Sequence, residues 1–200
     1  QPSKQESKKI IAHGYDKIYE KYLKDSKDRI SNIIELGSFY GNASAAFFFY
    51  FKNAKIYSAD INPDMYLYSS ERLENFFTDT SSRSSIEKNI LNKNIKFDLI
   101  IEDASHMLKD QIISLFILFK TLKSGGLFIV EEIDFPEKRE DMRIDQDFPD
   151  LKTILKKIMN KENFNSKYIN ENEKFFFLDN VETIEFYNGN INEIAVIKKK

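Results

Sequence analysis

The chain has no cysteine and no tryptophan, and only four prolines and six glycines among its 200 residues. Without thiols there is no disulfide scaffold, no zinc ribbon and no cysteine nucleophile. So few prolines and glycines argue against a loop-rich or repeat architecture, and no internal repeat is found. Charge of one sign is missing too. Thirty basic side chains stand against 32 acidic ones, for a formal charge of −2 without a basic block, which gives no support for a nucleic-acid or membrane-surface partner. The longest apolar runs, residues 45–51 and 112–119 (the second broken by Ser114), fall far below the ~20 residues that a membrane span needs. The opening Gln1-Pro2-Ser3-Lys4 is polar and unlike a secretory signal. The expectation is a soluble cytoplasmic protein of about one domain, long enough to bury roughly 70% of its unfolded surface.

What the chain does have is aromatic and apolar content, with 18 Phe, 10 Tyr and 42% hydrophobic residues. Residues 10–23 place Ile11, Tyr15, Ile18, Tyr19 and Tyr22 at helical spacing, which predicts one amphipathic helix. Short continuous apolar runs then alternate with helical stretches. Strands are expected at 33–36, 55–59, 97–101 and 127–130. Helices are expected at 42–51, 65–77, 86–91 and 108–122, with Ser124-Gly125-Gly126 as a helix stop. Residues 134–150, acidic with two prolines, read as a loop over the active site. Two further strands at 181–187 and 193–198, joined by Asn188-Gly189-Asn190, form a hairpin. The pattern is an α/β three-layer, Rossmann-like sandwich: a mostly parallel sheet that ends in an antiparallel C-terminal hairpin.

In open α/β sheets, ligands bind beyond the carboxyl ends of the strands. Here each such end carries something polar: Glu35 with Gly37, then Asp60, then Asp103, then Glu131 and Glu132. Glu35-Leu36-Gly37-Ser38-Phe39-Tyr40-Gly41 has two glycines in G-x-x-x-G spacing, unlike the G-x-G-x-x-G of nicotinamide enzymes. Gly37 suits a tight strand-to-helix turn, Gly41 a close backbone approach, and Glu35 a cation or an amine; an ordinary glycine turn is the plain alternative. Asp60 suits the two hydroxyls of a ribose, or an Asx turn ahead of Asn62-Pro63. Asp79 could accept from an adenine amino group or start the next helix. His106 and His13 are the only histidines, and a lone histidine is more often packed than catalytic.

Glu35–Gly41, Asp60, Asp79 and Phe97-Asp98-Leu99-Ile100-Ile101-Glu102-Asp103-Ala104-Ser105-His106 together resemble the class I S-adenosylmethionine-dependent methyltransferases. Asp103-Ala104-Ser105-His106, followed by Gly125-Gly126-Leu127-Phe128-Ile129-Val130-Glu131-Glu132, is similar to the macrocin and mycinamicin type of sugar O-methyltransferase, which reads D-G-S-H and then G-G-x-x-x-x-E-D. His13-Gly14-Tyr15 with Tyr19 also resembles that family's N-terminal helix. The likeness covers residues 10–135.

The resemblance implies a seven-stranded sheet, with residues 1–30 as an N-terminal helical segment and 31–200 as the methyltransferase domain. It implies S-adenosylmethionine held by Glu35, Gly37, Gly41, Asp60, Asp79 and Asp103. Mg²⁺ or another hard cation would be held by Asp103, Glu131 and Glu132, and His106 with Asp103 would be catalytic. A sugar hydroxyl is a poor nucleophile, so a base and a Lewis acid suit the chemistry, and three carboxylates make a hard oxygen site. The expected partner is a small-molecule acceptor, a sugar or glycosylated compound, with a homo-oligomer left open. Three departures stand out: Glu102 for Asp, Ala104 for Gly, and Glu132 for Asp. Alternatives are a catechol-like phenol O-methyltransferase, or a non-catalytic domain that keeps the fold.

Overall fold

Four short runs of β-branched, aromatic and aliphatic residues form the parallel centre of the sheet because both of their faces are covered. In the computed structural model, which describes residues 13–200, these are β1 (Asn32–Leu36), β2 (Lys55–Asp60), β4 (Phe97–Glu102) and β5 (Leu122–Val130). With β3 (Leu73–Phe77) and the hairpin strands β6 (Val181–Asn188) and β7 (Glu193–Lys199), they make one seven-stranded sheet of order β3-β2-β1-β4-β5-β7-β6. β7 runs antiparallel to both β5 and β6, as the terminal hairpin predicts.

Register matters for function. Leu36 pairs with both Ala59 and Glu102, and Glu102 pairs with Val130, so the carboxyl ends of β2, β1, β4 and β5 finish level. Side chains alternate across the sheet. Ile34, Leu36, Ile100, Phe128 and Val130 enter one core, with α4 (Leu108–Leu118), α6 (Leu151–Met159) and α7 (Glu171–Asn180). Ile33, Ile56, Leu99, Ile101 and Ile129 enter the other, with α1 (Asp16–Leu23) and Phe51 at the end of α2 (Asn42–Tyr50).

Several expected boundaries move. The single helix over 10–23 is interrupted at Gly14, whose φ of 69° no other residue adopts as cheaply, and α1 begins at Asp16; residues 10–12 lie outside the described residues. The helix expected over 65–77 is not there. A 3₁₀ turn at Pro63–Met65 leads into extended chain and then β3, which pairs with β2 from Ile56↔Leu73 to Asp60↔Phe77. Sheet pairing beside an exposed edge overrides the apolar spacing that suggested a helix. α4 stops at Leu118, a 3₁₀ turn follows to Thr121, and β5 starts at Leu122. Gly125 and Gly126 are therefore inside the strand rather than a helix stop. They occupy an irregularity where Phe97 pairs with Leu122 but Leu99 with Leu127. The expected helix near 86–91 begins earlier, as α3 (Arg83–Asn89), with Ser82 capping it through the Ser85 N–H. Residues 134–150 are not a plain loop but carry α5 (Phe135–Lys138) and a further 3₁₀ turn at Glu140–Met142. The helices α6 and α7 had no expected counterpart. No helix among the described residues is long and apolar enough to cross a membrane.

Candidate active site

The turn after β1 is shaped by what lies beside it. A Cβ on Gly37 (φ 86°) would sit 2.1 Å from the Asp103 carbonyl oxygen and 2.5 Å from Ala104 Cα, so glycine lets the end of β4 pass against this turn. Gly41 (φ 81°) starts α2, and there a Cβ would meet the Tyr66 ring at 2.3 Å. Glu35 is buried and accepts a hydrogen bond from the Ser44 hydroxyl of α2. Ser58 links Ser44 (2.7 Å) to the Tyr66 hydroxyl (2.9 Å). Burial pushes the Glu35 pKa up to about 8, against the Ser44 bond that lowers it.

Asp60, buried at the end of β2, accepts from the Phe39 N–H (2.7 Å) on one oxygen and the Asn62 N–H (2.7 Å) on the other. The Asx turn that the sequence offered for Asp60 is thus present, and the same carboxylate also ties down the β1–α2 turn. Each carboxylate oxygen can accept more than one hydrogen bond, so both retain capacity for hydroxyl donors. Asp79 lies just past β3 and accepts from the Ser81 N–H (2.9 Å) and hydroxyl (2.6 Å). It does not cap α3, since Ser82 does.

The acids at the ends of β4 and β5 converge. One ligand atom each from Asp103, His106 and Glu132 lie within 4.8 Å of one another. His106 Nε2 is 2.7 Å from Glu132 Oε2 and 3.6 Å from Asp103 Oδ1. Both His106 (φ 56°) and Glu132 (φ 52°) hold the left-handed conformation, which costs a side-chain-bearing residue roughly 1–2 kcal/mol. Neighbouring bonds hold these turns. Ser105 Oγ donates to Asp110 Oδ2 (2.6 Å) at the start of α4, and the Phe135 N–H and Gln111 Nε2 donate to the Glu132 carbonyl (3.0 and 3.3 Å). Phe135 meets the His106 ring edge-on, 5.0 Å between centroids. Burial opposes a charge on His106, but the Glu132 carboxylate and the nearby Glu102 outweigh it and raise its pKa.

Around this trio stand groups whose contacts the sequence did not reveal. His13 Nδ1 lies 3.1 Å from Glu132 Oε1, so the second histidine borders the same carboxylate. The Tyr19 hydroxyl donates to Glu131 Oε1 at 2.5 Å. Asn192, in the hairpin turn, approaches Glu132 Oε1 at 3.4 Å. Glu102 is wholly buried, its carboxyl oxygens lack hydrogen-bond partners among the described residues, and burial lifts its pKa to about 7. The sequence signals for Tyr19 were its i+4 spacing from Tyr15, which places both on one helix face, and the likeness of His13-Gly14-Tyr15 with Tyr19 to the family's N-terminal helix.

Chemically, Asp103 and Glu132 offer hard carboxylate oxygens, donors that suit Mg²⁺, Mn²⁺ or Ca²⁺, with the His106 imidazole beside them. Glu131 is adjacent in sequence, with one oxygen engaged by Tyr19.

No protein-family model matches the chain. Among curated proteins it is 25% identical over 128 residues to an 8-demethyl-8-alpha-L-rhamnosyl tetracenomycin-C 2'-O-methyltransferase of Streptomyces olivaceus, over 60% of this chain and 33% of that protein. Among solved structures it matches the MycE methyltransferase from the mycinamycin biosynthetic pathway, in complex with Mg, SAH and mycinamycin VI. The TM-score is 0.74 with 18% identity, over 98% of this chain and 52% of that one. Human N-acetylserotonin methyltransferase in complex with SAM shares the fold at a TM-score of 0.51 and 17% identity, over 96% of this chain and 54% of that one. The chain therefore spans about a third of the curated relative and about half of these structures. By its strand order and its strand-end residues, the chain has the class I S-adenosylmethionine-dependent methyltransferase fold and, within it, resembles the macrocin and mycinamicin type of sugar O-methyltransferase.

Proposed function

We propose that this chain is a cytoplasmic S-adenosylmethionine-dependent O-methyltransferase that methylates a sugar hydroxyl of a natural product or glycan, with His106 as base and a divalent cation, Mg²⁺ in the first place. The observation that carries the reading is the convergence of Asp103, His106 and Glu132 at the level ends of β4 and β5. The names of the similar proteins support it: one is a rhamnosyl 2'-O-methyltransferase, and another was solved with Mg, SAH and a mycinamycin.

When bound, the cofactor supplies an electrophilic methyl carbon on a sulfonium, and the cation supplies Lewis acidity for the acceptor hydroxyl. The cation would be held by Asp103, Glu131 and Glu132, whose oxygens suit it. The protein's own residues do the rest. Gly37 and Gly41 let the β1–α2 turn pack against the end of β4 and against Tyr66, with Glu35 and Asp103 bordering the place where the cofactor would lie. Asp60 would hold the ribose hydroxyls through its remaining lone pairs, and Asp79 would accept from the adenine amino group. His106 serves as the base: with the Glu132 carboxylate engaged by the cation instead of by Nε2, which it now meets at 2.7 Å, that nitrogen would be free to take the acceptor's proton. Phe135 covers one edge of its ring and excludes water there.

The first test is calorimetric titration of S-adenosylhomocysteine into the purified protein, with and without Mg²⁺. Micromolar binding is expected; no binding in either condition overturns the reading. His106→Ala and Asp103→Asn should then lose methyl transfer to sugar acceptors by about 10²–10⁴-fold while retaining S-adenosylhomocysteine. Full activity in both variants would leave the fold without the proposed mechanism.

A further inference from the structure

α1 reaches the acid Glu131 with the hydroxyl of Tyr19. Tyr15 and Tyr19 share one face of this helix, and Tyr19 directs its hydroxyl onto Glu131 Oε1 at 2.5 Å while its ring rests beside Phe47, 6.0 Å between centroids. Tyr19 is half-buried, and its phenol O–H donates to this carboxylate, which can only accept. Next along the chain, the Glu132 carboxylate lies between His106 and His13. The two successive acids after β5 are thus met from different elements, Glu131 from α1 and Glu132 from the turn after β4.

We infer that Tyr19 is a positioning residue for Glu131: by donating to Oε1 it fixes the side-chain rotamer and so the direction in which this carboxylate would face a divalent cation. The inference rests on reading the acidic cluster as a cation site, as proposed above. Groups that hydrogen-bond to metal ligands orient them, and losing such a group typically costs 10- to 100-fold in metal affinity. Tyr22 gives a matched control on the same helix, because its hydroxyl pairs with that of Tyr187 at 2.6 Å, beside Glu185 of the hairpin rather than Glu131.

The experiment measures Mn²⁺ binding to the full chain by the free-ion electron paramagnetic resonance signal. Wild type, Tyr19→Phe and Tyr22→Phe are compared, each also melted in chelator. The expected result is Mn²⁺ binding by wild type, a loss of about tenfold or more in Tyr19→Phe, and wild-type affinity in Tyr22→Phe, with both variants folded in chelator. Equal affinity in wild type and Tyr19→Phe overturns the inference and leaves the cation site standing. Equal losses in both variants also overturn it, because the helix as a whole would then be responsible. Absence of Mn²⁺ binding by wild type overturns the cation reading, and this inference with it.

Discussion

At the scale of single residues, two glycines with similar backbone angles make opposite predictions about substitution. A Cβ on Gly37 meets backbone of the β4 end, which cannot swing aside, whereas a Cβ on Gly125 (φ 73°) meets nothing within 4 Å. Gly125→Ala should cost only the left-handed strain, about 1–2 kcal/mol in urea unfolding. Gly37→Ala adds a steric clash, and should lose about 3 kcal/mol or more and displace Asp103. Equal losses would show that the β4 end yields freely. The importance of Gly37 was legible because a glycine after an apolar run and before a helix marks a turn; its neighbour was not, since Asp103 lies far along the chain. The same division applies to Asp60. Its Asx turn is local and readable from Asn62-Pro63, but its bond to Phe39 crosses 21 positions and needs the sheet to be folded. Tyr19 and Glu131 are 112 positions apart, and no spacing rule connects them.

Elements were legible where burial on both faces made them continuous, as in β1, β2 and β4, and illegible where an interaction with another element decided the conformation. The stretch before β3 is the clearest case. Arg72 donates to the carbonyl oxygens of Phe48 (3.2 Å), Phe51 (3.1 Å) and Ala54 (2.7 Å), and its guanidinium lies 4.0 Å from the Phe48 ring centroid. One cation thus satisfies the carbonyls at the end of α2, where the helix dipole also favours positive charge. That bond network requires Arg72 to enter β3 extended, which the apolar spacing of residues 65–77 does not express. Arg72→Met keeps the stem but removes the donors. It should cost about 2 kcal/mol, with the loss confined to α2 and β3 in amide hydrogen exchange. A uniform loss of protection, or none, would mean that α2 ends independently of β3. The glycine pair in β5 was misread for a related reason: a strand irregularity depends on its partner strand, here the step between Phe97 and Leu99.

For the whole molecule, the buried acids give stability a definite dependence on pH. Glu35 carries a folded pKa of about 8, set first by burial, and Glu102 one of about 7. Each therefore holds a proton that the unfolded chain has released above its ordinary value near 4.5. From there up to the folded pKa, the native state binds more protons than the unfolded one, so stability falls as pH rises, by on the order of 1 kcal/mol per pH unit for each acid. On the acid side the sign reverses. Lys55 and Lys93 hold the Glu74 pKa low, and Lys123 with the Ser31 and Asn32 N–H groups outweighs burial at Asp98. Their contribution is present above the ordinary carboxylate range and is lost as pH falls through it. In chelator and without cofactor, the urea midpoint should therefore peak near pH 5 and decline toward pH 8. Glu35→Gln keeps an acceptor for Ser44 and removes the titration, so its decline should be shallower between pH 5 and 8 and unchanged below pH 4. Parallel curves for wild type and variant across pH 5–8 would show that Glu35 is ionised within the fold, with Ser44 and Ser58 solvating the charge that burial penalises.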